Sequence, residues 1–436
     1  MKIYDDTKVY VFCPAKVASG GPELLHQLAS KLRAMNIEAY MDYVYYAGDE
    51  EQEPVHENYR KYHLPYVVNT FIDNPHNIVI YPEIFTGYLS RQRKVRQIVW
   101  WLSVDNYVKH VAGYYGEFIR QEAYLYYPVQ DFGLWKSDKS VEHWVQSEYA
   151  RRFLHVNGID KEKIHYVSDY LSWIFSNADM GNVGKKNQVV FNPNKGWEFT
   201  QKIIERASDI TWLPIIDMPP AKVRDVLSES KVYIDFGNHP GKDRIPREAA
   251  MAGCCIITGK KGAATNDVDI PIPQEYKFND EEEQIPAIIA KIRNIFTDYE
   301  IHNRRFLDYR KKICEEYERF SRDVEQALEF EDKKNNPKRT ALYMAPQMAL
   351  IVWQYLQENA NADYRGVCVI NDEFCGNCID NGKEQIPIIT KEDASFLYKE
   401  KRIEKIMLKE GSGTEQAEIL NWPCLRNDLL LVSLDC

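Results

Sequence analysis

The sequence predicts an α/β fold built on parallel sheets, because strand-like and helical segments alternate along most of the chain. Short runs of β-branched and aromatic residues lead through glycine or proline turns into amphipathic helical stretches. The alternation begins near residue 8, pauses near residue 171 and restarts at residue 188. Two such series predict two doubly wound domains. Since open α/β sheets bind ligands at the carboxyl ends of their strands, we expect a cleft between these domains.

The first predicted domain covers residues 1–175 and begins with a strand at residues 8–15. A turn containing Gly20 and Gly21 follows, and Pro22 suits the first turn of a helix because its missing N–H is not needed there. Leucines recur on one face of that helix. Later strand-like runs in this domain cover residues 37–44, 77–84, 97–105 and 163–171.

The second predicted domain covers residues 185–315 and repeats the pattern. For residues 316–335 we expect a helix that crosses back, together with a polar linker. For residues 340–436 we expect an accessory α+β region of unknown role. Five of the nine cysteines lie in this last region. The strand-like runs of the second domain cover residues 188–196, 209–216, 231–237 and 254–259.

The composition excludes several classes of protein. The 436 residues include 55 basic and 65 acidic side chains, for a net charge of −10, which argues against broad binding of nucleic acid. No stretch approaches eighteen consecutive apolar residues, as a membrane-spanning helix would require. The N-terminus carries acidic residues where a secretory signal needs basic ones. We therefore expect a cytoplasmic protein without a disulfide framework, and leave open a peripheral association with the inner face of the membrane.

Two turns at strand ends are candidates for binding a ligand. Gly20 and Gly21 let the backbone approach a ligand closely, and the N–H groups at a helix start attract phosphate or carboxylate. A tight turn with no ligand explains these glycines equally well. Lys195 lies in an Asn-Pro-Asn-Lys-Gly turn, from which it can either reach a diphosphate or simply face solvent.

The densest polar motif is the loop and helix start at residues 237–253. Arginine offers a planar fork for phosphate oxygens, and a carboxylate one turn inside the helix can accept two ribose hydroxyls. A purely structural interpretation makes Arg247 and Glu248 a helix cap and a surface ion pair. The candidate residues of this motif are His239, Asp243, Arg244, Arg247 and Glu248.

The segments SGGPELLHQLASKL and HPGKDRIPREAAMAGCCIIT resemble GT-B glycosyltransferases, the group that includes the retaining family-four enzymes. The resemblance extends over about residues 8–325. It implies two facing Rossmann-like, doubly wound domains with an interdomain cleft, plus a small C-terminal accessory region. In this group the first domain binds the acceptor and the second binds the nucleotide sugar.

The resemblance also implies roles for individual residues. Lys195 matches the diphosphate-binding lysine of the family, and Glu248 matches the glutamate that holds the ribose. Pro240 stands where the family has a further glutamate, so Asp243 or Arg244 would take over its contacts to sugar or phosphate. The predicted donor-binding set is Gly20, Gly21, Lys195, His239, Asp243, Arg244, Arg247 and Glu248.

The predicted catalytic residues are Asp105, Lys195 and Glu248. Fixed cations such as Lys195 and Arg244 would stabilise charge on the phosphates without a metal. A retaining reaction demands no protein nucleophile in the mechanism proposed for the family. An inverting reaction needs a base, for which Asp105 and His110 are candidates. Asp105 follows a strongly apolar strand, where capping a loop is its structural alternative.

The expected activity is transfer of a hexosyl or related sugar from a nucleotide-sugar donor to a glycan or lipid-linked glycan acceptor, in the biosynthesis of a surface polysaccharide. We expect no cofactor and no nucleic-acid partner. Two alternatives stay open, namely a nucleotide-sugar isomerase (epimerase) on the same fold and a non-catalytic protein that binds glycans or nucleotides. The aromatic residues between Trp100 and Tyr127 are candidates for a surface that binds the acceptor. Packing in the hydrophobic core explains at least half of them.

Two motifs raise the question of a metal site. Asp267 and Asp269 form the D-x-D pattern that binds divalent cations in the other glycosyltransferase fold, but their late position favours a plain loop. Cys375 and Cys378 form a C-x-x-C pattern that needs further thiolates to bind zinc. Unlinked cysteines are the simpler interpretation, and no metal ligand is predicted. The further thiolates considered are Cys368 and Cys424.

Overall fold

The computed structural model describes residues 1–46, 53–112, 129, 133–171, 175, 184–330, 339–359, 367–380, 385–399, 402–409 and 430–434. The chain divides into two compact units. The first unit comprises Met1–Phe85, Ser90–Ile98 and Glu325–Cys436, and the second comprises Thr86–Leu89 and Val99–Val324.

The described strands and helices alternate through both units. The strands are β1 Lys2–Ile3, β2 Lys8–Pro14, β3 Glu38–Val44, β4 Tyr66–Val68, β5 Ile78–Pro82, β6 Arg96–Trp101, β7 Glu142–Val145, β8 Ile164–Tyr166, β9 Lys186–Phe191, β10 Thr211–Pro214, β11 Ser230–Asp235, β12 Cys255–Thr258, β13 Glu329–Phe330, β14 Arg339–Tyr343, β15 Cys368–Ile370, β16 Cys378–Asp380, β17 Gln385–Ile389, β18 Ile403–Lys409 and β19 Leu430–Leu434. The α-helices are α1 Gly20–Ala34, α2 Val104–Tyr107, α3 Glu148–Val156, α4 Trp197–Arg206, α5 Pro220–Glu229, α6 Arg244–Met251, α7 Ile285–Thr297, α8 Tyr299–Arg304, α9 Leu307–Cys314, α10 Glu316–Ala327, α11 Pro346–Asn359 and α12 Lys391–Lys399.

The N-terminal part of the first unit contains parallel strands in the order β4-β3-β2-β5. Helix α1 packs against β2 and β3, and it also contacts β17 from the C-terminal part of the same unit. Because neighbours cover it on both sides, even charged side chains of α1 are buried. Lys31 is one of them, and its Nζ lies 3.1 Å from Oδ1 of Asp393 at the start of α12.

The C-terminal part of the first unit is a six-stranded sheet in the order β16-β17-β15-β14-β18-β19. Its strands pair in parallel except β16, which is antiparallel to β17. The core of this part includes Leu342, Trp353, Val369 and Ile388. The accessory region expected at residues 340–436 therefore contains a further parallel sheet of its own.

The second unit contains strands in the order β6-β7-β8 and a four-stranded parallel sheet in the order β10-β9-β11-β12. Strands β9, β11 and β12 are buried over most of their length, as apolar runs in a sheet covered on both faces should be. Isoleucines on one face of α7 pack into the same core. The predicted parallel-sheet α/β class is confirmed.

Within the described residues, no helix combines the length and the apolar character that crossing a bilayer requires.

Candidate functional site

The candidate site is built where β9 and β11 end and their following loops touch. Gly196 has φ of +61°, and a Cβ placed on it would lie 2.3 Å from the carbonyl carbon of Phe236. A Cβ on Gly237 would lie 2.5 Å from Cβ of Lys195. Because only glycine leaves room at both positions, the two loops can pack backbone against backbone. This contact places Lys195 beside the loop that begins at Gly237.

Four side chains of alternating charge form the centre of the site. Nζ of Lys195 lies 2.6 Å from Oδ2 of Asp243. The same oxygen of Asp243 lies 2.9 Å from Nδ1 of His239. Nε2 of His239 lies 3.9 Å from Oδ1 of Asp235, at the end of β11. Lys195 is the most open of the four, with 30% of its side chain exposed, whereas His239 is fully buried.

The surrounding charges set the protonation of this cluster. Burial opposes the charge of His239, but Asp235 and Asp243 outweigh it and raise the pKa of His239. Burial likewise opposes the charge of Lys195, yet Asp243 and Asp235 raise its pKa. Despite its own burial, Asp243 has a lowered pKa because Lys195 and His239 face it. Lys195 and Asp243 are therefore charged at neutral pH, and the neighbouring carboxylates favour the protonated form of His239.

Asp105 belongs to the same cluster although it lies 90 residues before Lys195 in the sequence. It lies on α2, and its Oδ1 accepts a hydrogen bond of 2.8 Å from the hydroxyl of Tyr149. Burial, together with the negative charge of Asp243, raises the pKa of Asp105 to about 6, against the opposing effects of Tyr149 and Lys195. The charge of Asp105 also favours the charged form of Lys195, so the two groups interact electrostatically. The alternative base, His110, is exposed in the π-helical turn Val108–Ala112.

Arg247 lies beneath the loop rather than at its surface. Its guanidinium is 0% exposed; Nη1 lies 2.7 Å from Oε2 of Glu316, and Nη2 pairs with Asp169. Nε donates to the backbone carbonyl of Asp243 at 3.0 Å, and Nη2 also donates to that of Lys242. Since these partners take four of its five N–H donors, the geometry favours a role for Arg247 in holding the loop over direct phosphate binding.

Lys242 and Gln146 complete the support of the loop. Nζ of Lys242 lies 2.7 Å from Oε1 of Glu316. The side chain of Gln146 accepts from the backbone N–H of Lys242 at 3.0 Å and donates to its carbonyl at 3.2 Å. A Cβ on Gly241 would lie 2.6 Å from Oε1 of Gln146, so glycine is needed for this close approach.

The remaining predicted donor residues lie on two helices. Arg244 and Glu248 are one turn apart on α6, with Nε and Oε1 separated by 3.6 Å. Glu248 is largely buried, whereas Arg244 is partly open. Gly20 and Gly21 begin α1 in the first unit, where the backbone of Ser19 exchanges hydrogen bonds with the hydroxyl of Tyr59. All other predicted site residues lie in the second unit.

Sequence reasoning missed several residues that shape this site. Asp235 was detectable in principle, because it is a charged residue at the end of a buried strand. No local pattern marks the others, which come from distant segments and meet only in the folded chain. The missed residues are Gln146, Tyr149, Asp169, Asp235 and Glu316.

The D-x-D aspartates make contacts of their own. Asp269 accepts the backbone N–H groups of Glu148 and Tyr149 at 2.8 and 2.9 Å, so its carboxylate caps the start of α3. Asp267 pairs with Lys277 at 2.9 Å. These contacts agree with the interpretation of the motif as a structural loop.

Among the described residues, three or more potential metal ligands converge only at Asp235, His239 and Asp243. One ligand atom from each lies within 4.8 Å of the others. The thiol of Cys375 is buried, which raises its pKa to about 12. Cys424 and residues 113–127 of the aromatic segment between Trp100 and Tyr127 lie outside the described residues.

No family model matches the chain, and no curated protein matches it in sequence. Solved structures do match. Sucrose-phosphate synthase from Thermosynechococcus elongatus is 12% identical with a TM-score of 0.50, over 74% of this chain and 98% of that one. HepE of Anabaena, solved in complex with UDP, is 10% identical with a TM-score of 0.49, over 74% and 99%. A glycosyltransferase from Rickettsia africae is 13% identical with a TM-score of 0.42, over 74% and 94%.

The match to sucrose-phosphate synthase concerns the fold. It confirms the predicted GT-B class of α/β fold, since this neighbour has that fold and the aligned region covers nearly all of its chain. The narrower resemblance to the family-four group stays a prediction.

The buried position of Arg247 predicts a large loss of stability when it is truncated. Arg247→Ala leaves the buried carboxylates of Asp169 and Glu316 with Lys242 as their one remaining ion-pair partner among the described residues, and we expect a loss of about 3–5 kcal/mol in the free energy of unfolding. Arg244→Ala, three residues earlier on the same helix and partly exposed, is the control and should cost less than about 1 kcal/mol. Urea unfolding measures both variants. Equal losses would contradict the supporting role of Arg247.

Proposed function

We propose that this protein is a glycosyltransferase that moves a sugar from a nucleotide-sugar donor to a glycan or lipid-linked glycan acceptor. The observation that carries the proposal is Lys195, a charged and partly exposed ammonium group fixed at the carboxyl ends of the central strands of a Rossmann-like sheet. Ligands of such sheets bind at that edge. The shared fold of the sucrose-phosphate synthase structure supports the same class of reaction as an analogy.

Lys195 has the properties that a leaving diphosphate requires. Breaking the bond between sugar and phosphate places negative charge on the phosphate oxygens, and a cation already in position stabilises that charge without reorganisation. Asp243 holds the ammonium on one side at 2.6 Å. An ammonium group has three N–H donors, so others remain for a phosphate oxygen. In the proposal Arg244, one residue beyond Asp243 and 24% exposed, supplies a second cation.

The other donor contacts in the proposal follow from the shape of α6. Glu248 lies one turn inside that helix, where its carboxylate can accept two hydroxyls of the ribose. His239 and Asp243 orient Lys195, and Arg247 holds the loop that carries them. The backbone at Gly20 and Gly21 remains a proposed contact to the donor phosphates. The base and the sugar of the donor are left open.

We further propose that the reaction needs no metal. The only described group of converging ligands includes His239, and against the effect of burial Asp235 and Asp243 raise its pKa, so a proton competes with a metal ion for its ring nitrogens. Asp243 already faces the ammonium of Lys195. In the proposal the fixed cation supplies the charge compensation that a divalent ion would otherwise provide.

The proposal predicts turnover of a nucleotide sugar and its loss in Lys195→Ala. Incubation with a panel of nucleotide sugars and glycan acceptors should release nucleoside diphosphate, and removal of the fixed cation should lower the rate by at least about 100-fold. Lys186→Ala is the control, since Lys186 is an exposed lysine paired with Glu229 at 2.5 Å. Interconversion of the sugar without release would indicate an isomerase. Binding without turnover would indicate a non-catalytic protein. Either result contradicts the proposal.

The absence of a metal requirement is tested separately. We expect activity to survive EDTA and to gain less than about twofold from added Mn²⁺ or Mg²⁺, because Lys195 already supplies the compensating charge. Initial rates before and after chelation measure this. A strict dependence on Mn²⁺ would show that Asp235, His239 and Asp243 bind a metal instead.

A further inference from the structure

We propose that Tyr149, anchored by Asp269, is a positioning residue that fixes the Asp105 carboxylate in the candidate site. This inference rests on the proposed function, and it takes Asp105, the candidate base of an inverting reaction, as the acid–base group of the site. It gives the D-x-D motif a role as the anchor of a helix that serves the site.

Tyr149 is held rigidly enough to act as a positioning residue. Only 1% of it is exposed, and it lies in the first turn of α3. Its hydroxyl donates to Oδ1 of Asp105 at 2.8 Å. A buried phenol has few rotamers, so its hydroxyl defines one position for the carboxylate oxygen that it contacts.

Asp269 fixes the backbone from which this phenol projects. Its Oδ1 accepts the N–H of Glu148 at 2.8 Å, and its Oδ2 accepts the N–H of Tyr149 at 2.9 Å. Asn266 donates to the same Oδ2 at 2.9 Å and, through its own side-chain oxygen, accepts the N–H of Asp269. The carboxylate of Asp269 is therefore fixed at the start of α3, and its hydrogen bonds fix the position of that helix.

The groups around Asp105 come from four segments. Tyr149 on α3 donates a hydrogen bond to the carboxylate, which favours its ionised form. Lys195, in the turn after β9, and His239, in the loop after β11, also favour that form. Burial and the negative charge of Asp243, just before α6, oppose it. Loss of the phenol hydroxyl would therefore raise the pKa of Asp105.

A structural role for Tyr149 makes a different prediction. A phenol that only fills space and satisfies its own hydroxyl would, when replaced by phenylalanine, change stability but leave the ionisation of Asp105 where it was. The titration of that carboxylate distinguishes the two roles.

The experiment is a ¹³C NMR titration of the intact protein labelled at its aspartate carboxyl carbons. The signal of Asp105 is identified by its absence from Asp105→Asn. In the wild-type protein we expect its midpoint at about pH 6. In Tyr149→Phe we expect the midpoint to rise by roughly one pH unit, the effect of losing one hydrogen bond to a charged group.

Asp269→Asn and Asp267→Asn form a matched pair of variants. Asp269→Asn disturbs the anchor and should move the midpoint of Asp105 in the same direction, by a smaller amount. Asp267→Asn alters the contacts of Asp267 with Lys277 and Gln274, neither of which touches Asp105 or Tyr149 in the described contacts, and should leave the midpoint unchanged. Asp269→Asn also decides the question if Tyr149→Phe does not fold. An unmoved midpoint in the folded Tyr149→Phe variant, or equal shifts in the two aspartate variants, would overturn the inference.

The titration is independent of the proposed function because it needs no substrate. Without nucleotide-sugar turnover in the wild-type protein, the proposed function fails, while the titration still shows whether Tyr149 controls Asp105. With turnover, the rate should rise with pH through the pKa of Asp105 when that carboxylate acts as a base. That rise should then move to higher pH in Tyr149→Phe. If the rate rises at the same pH in Tyr149→Phe as in the wild-type protein, the positioning role of Tyr149 is contradicted.

Discussion

The ion pair between Lys195 and Asp243 is the contact on which the candidate site depends. An ammonium group in a largely enclosed place is stable only beside a counter-charge, and Asp243 supplies that charge at 2.6 Å. The carboxylate of Asp243 is shared with the ring of His239, whose Nδ1 lies 2.9 Å away and whose pKa the neighbouring carboxylates raise. The arrangement keeps Lys195 charged while part of its side chain stays open, so an incoming diphosphate would meet a cation that is already in place.

Two sets of contacts within the second unit hold Lys195 and Asp243 in position. Gly196 and Gly237 allow the loops after β9 and β11 to touch, which brings Lys195 to the loop that carries Asp243. Below the loop, Arg247 spans Asp169 and Glu316 and also bonds the backbone carbonyl of Asp243. Buried charges of this kind cost desolvation energy, and their geometry defines a single position for the loop in return.

Local sequence patterns predicted the fold class and part of the site because those features are local. Alternating strands and helices follow from the spacing of apolar residues, and Lys195 and Asp243 stand in turns that directly follow predicted strands or precede a helix. The partners of Arg247 were not predictable in this way. Asp169 and Glu316 lie 78 and 69 residues from it, and periodicity does not say which distant segments meet. From the sequence alone, Arg247 was therefore indistinguishable from a solvent-facing arginine that binds the donor.

A crystal structure of the protein with a bound nucleoside diphosphate is the most direct test of the proposed role of Lys195. We predict a phosphate oxygen about 3 Å from Nζ of Lys195, with Asp243 still beside the ammonium and the ribose hydroxyls at Glu248. A nucleotide bound with its phosphates away from Lys195, or held through a metal on Asp235, His239 and Asp243, would contradict it.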